Sequence, residues 1–259
     1  GGSQTIADAL AADLVRNGGT IETGARVRSM ADLPSHDVLM LDVSPSAAAA
    51  ILDDRLPSRV AKAYRKFQHG PGAFKVDFAI DGDVPWTAEF ARRAGTVHLG
   101  GNDAEVAAAE LAVQRGKMPD RPFVLVGQQY LADPSRSSGT VNPLWTYAHV
   151  PNGYTGDATE AIIGQIERFA PGFRERVVGT AVRSATEMAV YNPNYVGGDI
   201  VGGAASLRQT VFRPRVAIDP YATGIPGTYL CSASTPPGAG AHGMCGANAA
   251  ARALAELNG

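Results

Sequence analysis

Six residues near the end of the sequence, Gly238-Ala239-Gly240-Ala241-His242-Gly243, satisfy the pattern G-x-G-x-x-G. A short apolar run of strand type (residues 228–231) and a turn through Pro236-Pro237 precede them. Residues 244–257 follow, alanine-rich and with the apolar spacing of a buried helix. Glycines let the backbone approach a flat or anionic ligand, and a helix start offers unpaired N–H groups and a positive dipole end. That end is worth ~0.3–1 kcal/mol to a nearby negative charge. A reduced flavin carries its charge at one edge of the ring, so a helix start aimed there would favour the reduced form. A literal dinucleotide fingerprint needs another strand and an acidic residue ~20 residues further on. The sequence stops at Gly259 and has room for neither. The plain alternative is a strand–turn–helix whose glycines only permit tight packing.

Other chemistry is sparser. His36, His69, His98, His149 and His242 show neither HExxH nor paired spacing, so no metal site is expected. His98 and His149 sit in strand-like runs, as core residues or as lining of a substrate cavity. His242 is the best polar candidate near a flavin, for hydrogen bonding or positioning rather than acid–base work. Trp86, Tyr130, Trp145 and Tyr147 line an apolar cavity or fill the core. Asp199 is the one acid in a loop rich in glycine and asparagine, residues 191–203, which suits a functional loop as well as ordinary turns. Cys231 and Cys245 are the only cysteines and have no metal-ligand spacing. Their small, apolar neighbours predict buried free thiols and a reducing cytoplasm. If exposed at its helix start, Cys245 would have a lowered pKa, which makes a thiol nucleophile a minor alternative. No G-x-S-x-G elbow supports a serine hydrolase.

The elements that must position these residues are legible in part. With 259 residues, 45% of them hydrophobic, the chain can bury a core in one or two domains. The net charge is −2 and no Lys/Arg run exceeds a pair such as Arg92-Arg93, which argues against a nucleic-acid partner. No apolar run approaches the ~20 residues that span a bilayer, and the N-terminus lacks a signal-peptide layout. Ser3 caps a predicted helix carrying Ile6, Leu10 and Leu14, closed by Asn17-Gly18-Gly19. Strands are predicted over 20–27 and 37–43, and helix over 46–66. Residues 73–80 alternate as a strand, with further strands at 95–99, 122–128 and 144–150. Helices are expected at 103–115 and 159–169, and extended chain at 174–187. This succession predicts an α/β to α+β fold with a mostly antiparallel sheet and helices on one face.

The segment YLCSASTPPGAGAHGMCGANAA (residues 229–250) resembles the C-terminal flavin-contacting segment of the phytoene-desaturase-like FAD-dependent oxidoreductases. Helix, Gly-Gly and I-x-T-G-x-x-V (residues 21–27) resemble the strand that passes the adenine end of FAD in that family. YRKFQHGPGAFKVDFAIDGDVPW, AGTVHLGG, AHVPNGYTGD and QIERFAPGF resemble its bacterial branch, where this region is the substrate domain. Ala239 and Ala241 depart from the glycine and larger aliphatic residue of many relatives. The resemblance implies FAD contacts from Val27 through its backbone, from Ser234, and from Gly238, Ala239, Gly240, Ala241, His242, Gly243, Met244 and Cys245. It implies a substrate site drawn from Trp86, His98, Tyr130, Trp145, His149 and Asp199. Residues 1–44 and 216–259 would be the remainder of a Rossmann-like FAD-binding domain, and 45–215 the substrate domain.

The family's nucleotide-binding unit, a G-x-G-x-x-G opening a βαβ with its ribose-binding acid, is not found here. The chain is therefore expected to be the C-terminal part of a desaturase- or dehydrogenase-type enzyme. It would pass a hydride between an apolar substrate, polyenes among the candidates, and flavin. Its partner would be the N-terminal FAD-binding half, in cis or in trans, and alone it would bind FAD weakly, show no turnover and self-associate. Location is expected to be cytoplasmic, with peripheral membrane attachment left open. The competing class is a non-enzymatic binding module, which would have no reason to keep the glycine loop.

Overall fold

A ten-residue alternation, GAFKVDFAID, sets the main sheet: Phe74, Val76, Phe78 and Ile80 are buried, while Lys75, Asp77 and Ala79 face the other way. In this computed structural model, which describes residues 2–258, that run is one of seven strands; Gly1 and Gly259 lie outside the described residues. The chain order is α1 (Gln4–Arg16), β1 (Leu39–Leu41), α2 (Pro45–Leu52), α3 (Ser58–Arg65), β2 (Gly72–Asp81), β3 (Thr96–Leu99) and α4 (Asp103–Gln114). Then come β4 (Val124–Gly127), α5 (Gln129–Ala132), β5 (Val141–Val150), α6 (Thr159–Glu167), β6 (Val177–Arg183), α7 (Ala185–Tyr191), α8 (Leu207–Val211), β7 (Thr228–Leu230) and α9 (Met244–Leu257).

The fold is mixed α/β. Five strands form an antiparallel sheet in the order β3-β4-β5-β2-β6, and β1 and β7 form a separate parallel pair. The buried face of the large sheet packs against α6, whose Ile162, Ile163 and Ile166 meet Phe78, Val126, Leu144 and Phe173 in one cluster. Each such side chain contributes ~1.5–3 kcal/mol by leaving water. A second cluster joins Leu39, Leu41 and Leu230 of the parallel pair to Ala48 and Leu52 of α2 and Val60 and Tyr64 of α3.

Several expectations are corrected. Residues 20–27 form no strand; β1 pairs with β7 alone, and an extended segment without a partner ladder is not a strand. The helix expected over 46–66 is two helices, because Pro57 disfavours a helical Leu56 and removes a backbone donor. Residues 174–187 hold a 3-10 turn, β6 and the start of α7. The Ile6, Leu10 and Leu14 stripe of α1 is exposed, and α1 buries no residue.

Candidate functional site

The glycine-rich turn leaves β7 and enters α9 at an open helix start. Ser234 and Thr235 are buried and fix the exit: Thr235 Oγ1 donates to the Ser232 carbonyl (2.7 Å) and Ser234 Oγ to the Gly202 carbonyl (2.9 Å). Residues 239–244 are exposed. Gly243 caps α9 in the left-handed region at φ +65, where a side chain would be strained. Gly240 has a different reason, since a Cβ there would lie 2.5 Å from Cδ2 of His242. The His242 ring covers that glycine and its Nδ1 accepts the Met244 N–H (3.0 Å), which in the neutral ring leaves the proton on Nε2. Ala247 N–H is taken by the Gly243 carbonyl. The Cys245 and Gly246 amides, in the first turn, have no partner among the described residues. Cys245 itself is buried, its thiol 3.3 Å from the Gly238 carbonyl, so the exposure that a nucleophile needs is missing. Burial, with the charge of Asp42, pushes the Cys231 thiol up to about 12.

Beneath this turn lies a buried polar cluster. Asp199, fully buried, accepts from the Gly70 amide (2.8 Å), the Val201 amide (2.9 Å) and the Gly202 amide (3.1 Å). His69 Nδ1 stands 3.5 Å from its Oδ2. Burial raises the carboxyl's pKa, but His69 and the amides outweigh it and hold it below its ordinary value. Arg213, only 8% exposed, donates to the carbonyls of Ala233 (3.1 Å) and Gln209 (3.3 Å). No carboxylate among the described residues pairs with it. Gly238, at φ +102, is needed for this contact: a Cβ there would lie 2.5 Å from Arg213 Nη1. Burial lowers the guanidinium's pKa, opposed by Cys245 and Asp199. His69 and Arg213 were not singled out from sequence. The available signal was the Arg213-Pro214-Arg215 step in the stretch leading to the glycine turn.

The aromatic candidates divide between the two faces of the large sheet. Trp145, Tyr147 and His149 alternate along the outer face of β5, and Phe123, just before β4, and His98 of β3 extend the row. Ring centroids are 5.4 Å apart for Trp145–Tyr147, 5.8 Å for Tyr147–His149, 5.6 Å for Phe123–His149 and 5.4 Å for His98–Phe123. Glu110 of α4 holds His149 through Nδ1 at 2.8 Å. Trp86, 1% exposed, and Tyr130 lie on the opposite face in the core, where Trp86 Nε1 donates to Gln128 Oε1 (2.9 Å) and Tyr130 Oη lies 3.4 Å from the same oxygen. Burial, with Asp83 adding, pushes the Tyr130 hydroxyl up to about 12. Val27 packs beside the second core, away from these groups. The structure thus joins Ser234, the 238–245 turn and Asp199 in one place and His98, Trp145 and His149 in another. Among the described residues no group of His, Cys, Asp and Glu could hold a metal ion, and no helix is long and apolar enough to cross a membrane.

Neither protein-family models nor curated proteins match this sequence. Among solved structures, an oxidoreductase from Methanosarcina mazei is similar in fold, with a TM-score of 0.57 over 92% of this chain at 14% identity. The match covers 51% of that protein, so the chain spans about half its length. At that identity the likeness is one of architecture.

Proposed function

We propose that this chain is the flavin-ring and substrate portion of an FAD-dependent oxidoreductase of the phytoene-desaturase-like kind. The observation that carries the reading is the open start of α9, where the unpartnered amides of Cys245 and Gly246 stand beside exposed small residues and above the buried cation of Arg213. Those groups fit the anionic edge of a reduced isoalloxazine: two free donors, a helix dipole and a guanidinium in no direct ion pair, with Asp199 the nearby carboxylate. When bound, the flavin would supply the hydride acceptor. The chain's own residues orient it. Gly243 sets the approach angle, His242 restricts one side of the turn, and Ser234 and Asp199 rigidify the loop below through the Gly202 backbone.

In this proposal residues 1–44 and 216–259 belong with the flavin, and 45–215 with the substrate, although α2 and α3 pack on the parallel pair. A segment carrying the pyrophosphate site would complete FAD binding, in cis or in trans. The row His98–Phe123–His149–Tyr147–Trp145 suits an apolar, elongated substrate better than a charged one. The test is flavin content. The complete gene product is expected to purify with stoichiometric FAD, while this chain alone binds FAD no more tightly than riboflavin, in titrations followed by flavin fluorescence. A gene product without flavin overturns the assignment, and submicromolar FAD binding by this chain alone points to a nucleotide site elsewhere in it.

A further inference from the structure

A second cavity adjoins Arg213, whose neighbours Phe212 and Pro214 line it. The stretch Arg55 to Gln68 carries Arg55, Arg59, Lys62, Arg65 and Lys66 and no acid, in a chain whose net charge is −2. One face of α3, with Arg59, Val60 and Ala63, and the following Lys66 and Phe67 form a wall of a cavity of about 940 Å³. Arg208, Gln209 and Phe212 of the α8 segment form the opposite wall, and Arg215, Val216 and Ile218 line the following loop. Gln209 anchors the two sides: its Oε1 accepts the Gln68 amide (3.1 Å) and its Nε2 donates to the Gln68 carbonyl (2.8 Å).

The charges in this cavity are unbalanced. Arg59, Lys66, Arg208 and Arg215 have no carboxylate within 4.0 Å among the described residues. The one acid in the lining, Asp219, is committed to Arg252 Nε at 2.6 Å and to the Tyr221 and Ala222 amides. Arg215 is the half-buried member. Its Nη2 donates to the Ala222 carbonyl (2.8 Å), and the buried Tyr64 hydroxyl stands beside its guanidinium on the core side. Beside the cations the lining is apolar, with Val60, Phe67, Phe212, Val216 and Ile218, the last three exposed. A small inorganic anion would use the cations and leave these side chains in water; a neutral lipid would do the reverse.

We propose that the cleft between α3 and α8 binds an amphipathic organic anion, a hydrocarbon chain ending in a phosphate or carboxylate. Arg215 and the rim cations Arg59, Lys66 and Arg208 take the head, and Phe67, Phe212 and Val216 take the start of the chain. The lining of this site includes residues 216–219, which the flavin assignment also uses, but its test needs no cofactor. Calorimetric titration with dodecyl phosphate below its micelle concentration is expected to give one site per chain, weakened by added salt. Replacing two exposed rim cations, Lys66→Gln with Arg208→Gln, leaves the fold intact by circular dichroism and weakens binding about tenfold or more. Arg215→Met has a larger effect; should it unfold the protein, the rim variant still decides. Inorganic phosphate binding as tightly as dodecyl phosphate overturns the proposal, as does equal binding of dodecyltrimethylammonium. The vesicle arm separates two sources of the same head group. Binding to phosphatidylcholine vesicles doped with phosphatidylglycerol, without binding of monomeric dodecyl phosphate, makes this face a membrane surface instead and overturns the ligand site.

Discussion

Gly243 and Gly238 have positive φ for reasons that mutation separates. A Cβ at Gly243 meets nothing within 4 Å, so Gly243→Ala should cost only the left-handed backbone term, about 1 kcal/mol, with α9 retained. At Gly238 the same change also displaces the buried Arg213 guanidinium, and the expected loss is about 2 kcal/mol or more. Urea titrations of the two variants rank them. Asp199 makes a pH prediction. Its folded pKa is lower than its unfolded value of about 3.9. Its contribution to stability is therefore fully present above pH ~4 and is lost as pH falls through the folded pKa. Asp199→Asn should flatten that acid limb in a plot of unfolding free energy against pH; an unchanged limb assigns the acid sensitivity elsewhere. At this scale the sequence disclosed Asp199, an acid alone among glycines. It concealed His69 and Arg213, because the amide and guanidinium contacts that define the cluster join residues 129 and 20 positions apart.

Strands and helices with strong periodicity were legible. The alternation of residues 73–80 and the apolar stripes at 103–115 and 159–169 became β2, α4 and α6 with their ends shifted by a few residues. Short elements were not: α5, α7 and α8 span four to seven residues, too few for a period to declare itself. Pairing was illegible too, since alternation shows which residues share a face but not which strand lies alongside. The same limit applies to the aromatic residues. Trp86 and Trp145 read alike in sequence, yet Trp86 is held in the core by Gln128, whose Nε2 also donates to the carbonyls of Ala91 (2.8 Å) and Ala94 (2.7 Å). Gln128→Ala should therefore cost about 3 kcal/mol, since it leaves the indole N–H and two carbonyls without their partner. Thermal unfolding reads this directly. A loss under 1 kcal/mol would show that water replaces the amide.

For the whole molecule, the parallel pair sets an order of events. The partners Leu39 and Thr228 lie about 190 residues apart, and closing a flexible loop of that length costs on the order of 5 kcal/mol. Three paired residues on each strand are too few to meet that cost from an unfolded chain. The ends must already be close, and they are brought close by the five-stranded body between them. The β1–β7 pairing is thus conditional on a structure to which neither strand belongs. Amides of Leu39–Leu41 and Thr228–Leu230 should exchange with solvent faster than those of β2 and β5. Ile162→Ala, buried beneath the large sheet, should accelerate the exchange of the pair although it touches neither strand. Mass-spectrometric exchange resolves both effects. Since the exit from β7 leads directly into the glycine turn, the folding history of the sheet would decide when the α9 end is assembled. A nascent chain would complete its middle before its ends, and the groups proposed to meet a flavin would be the last to take their places.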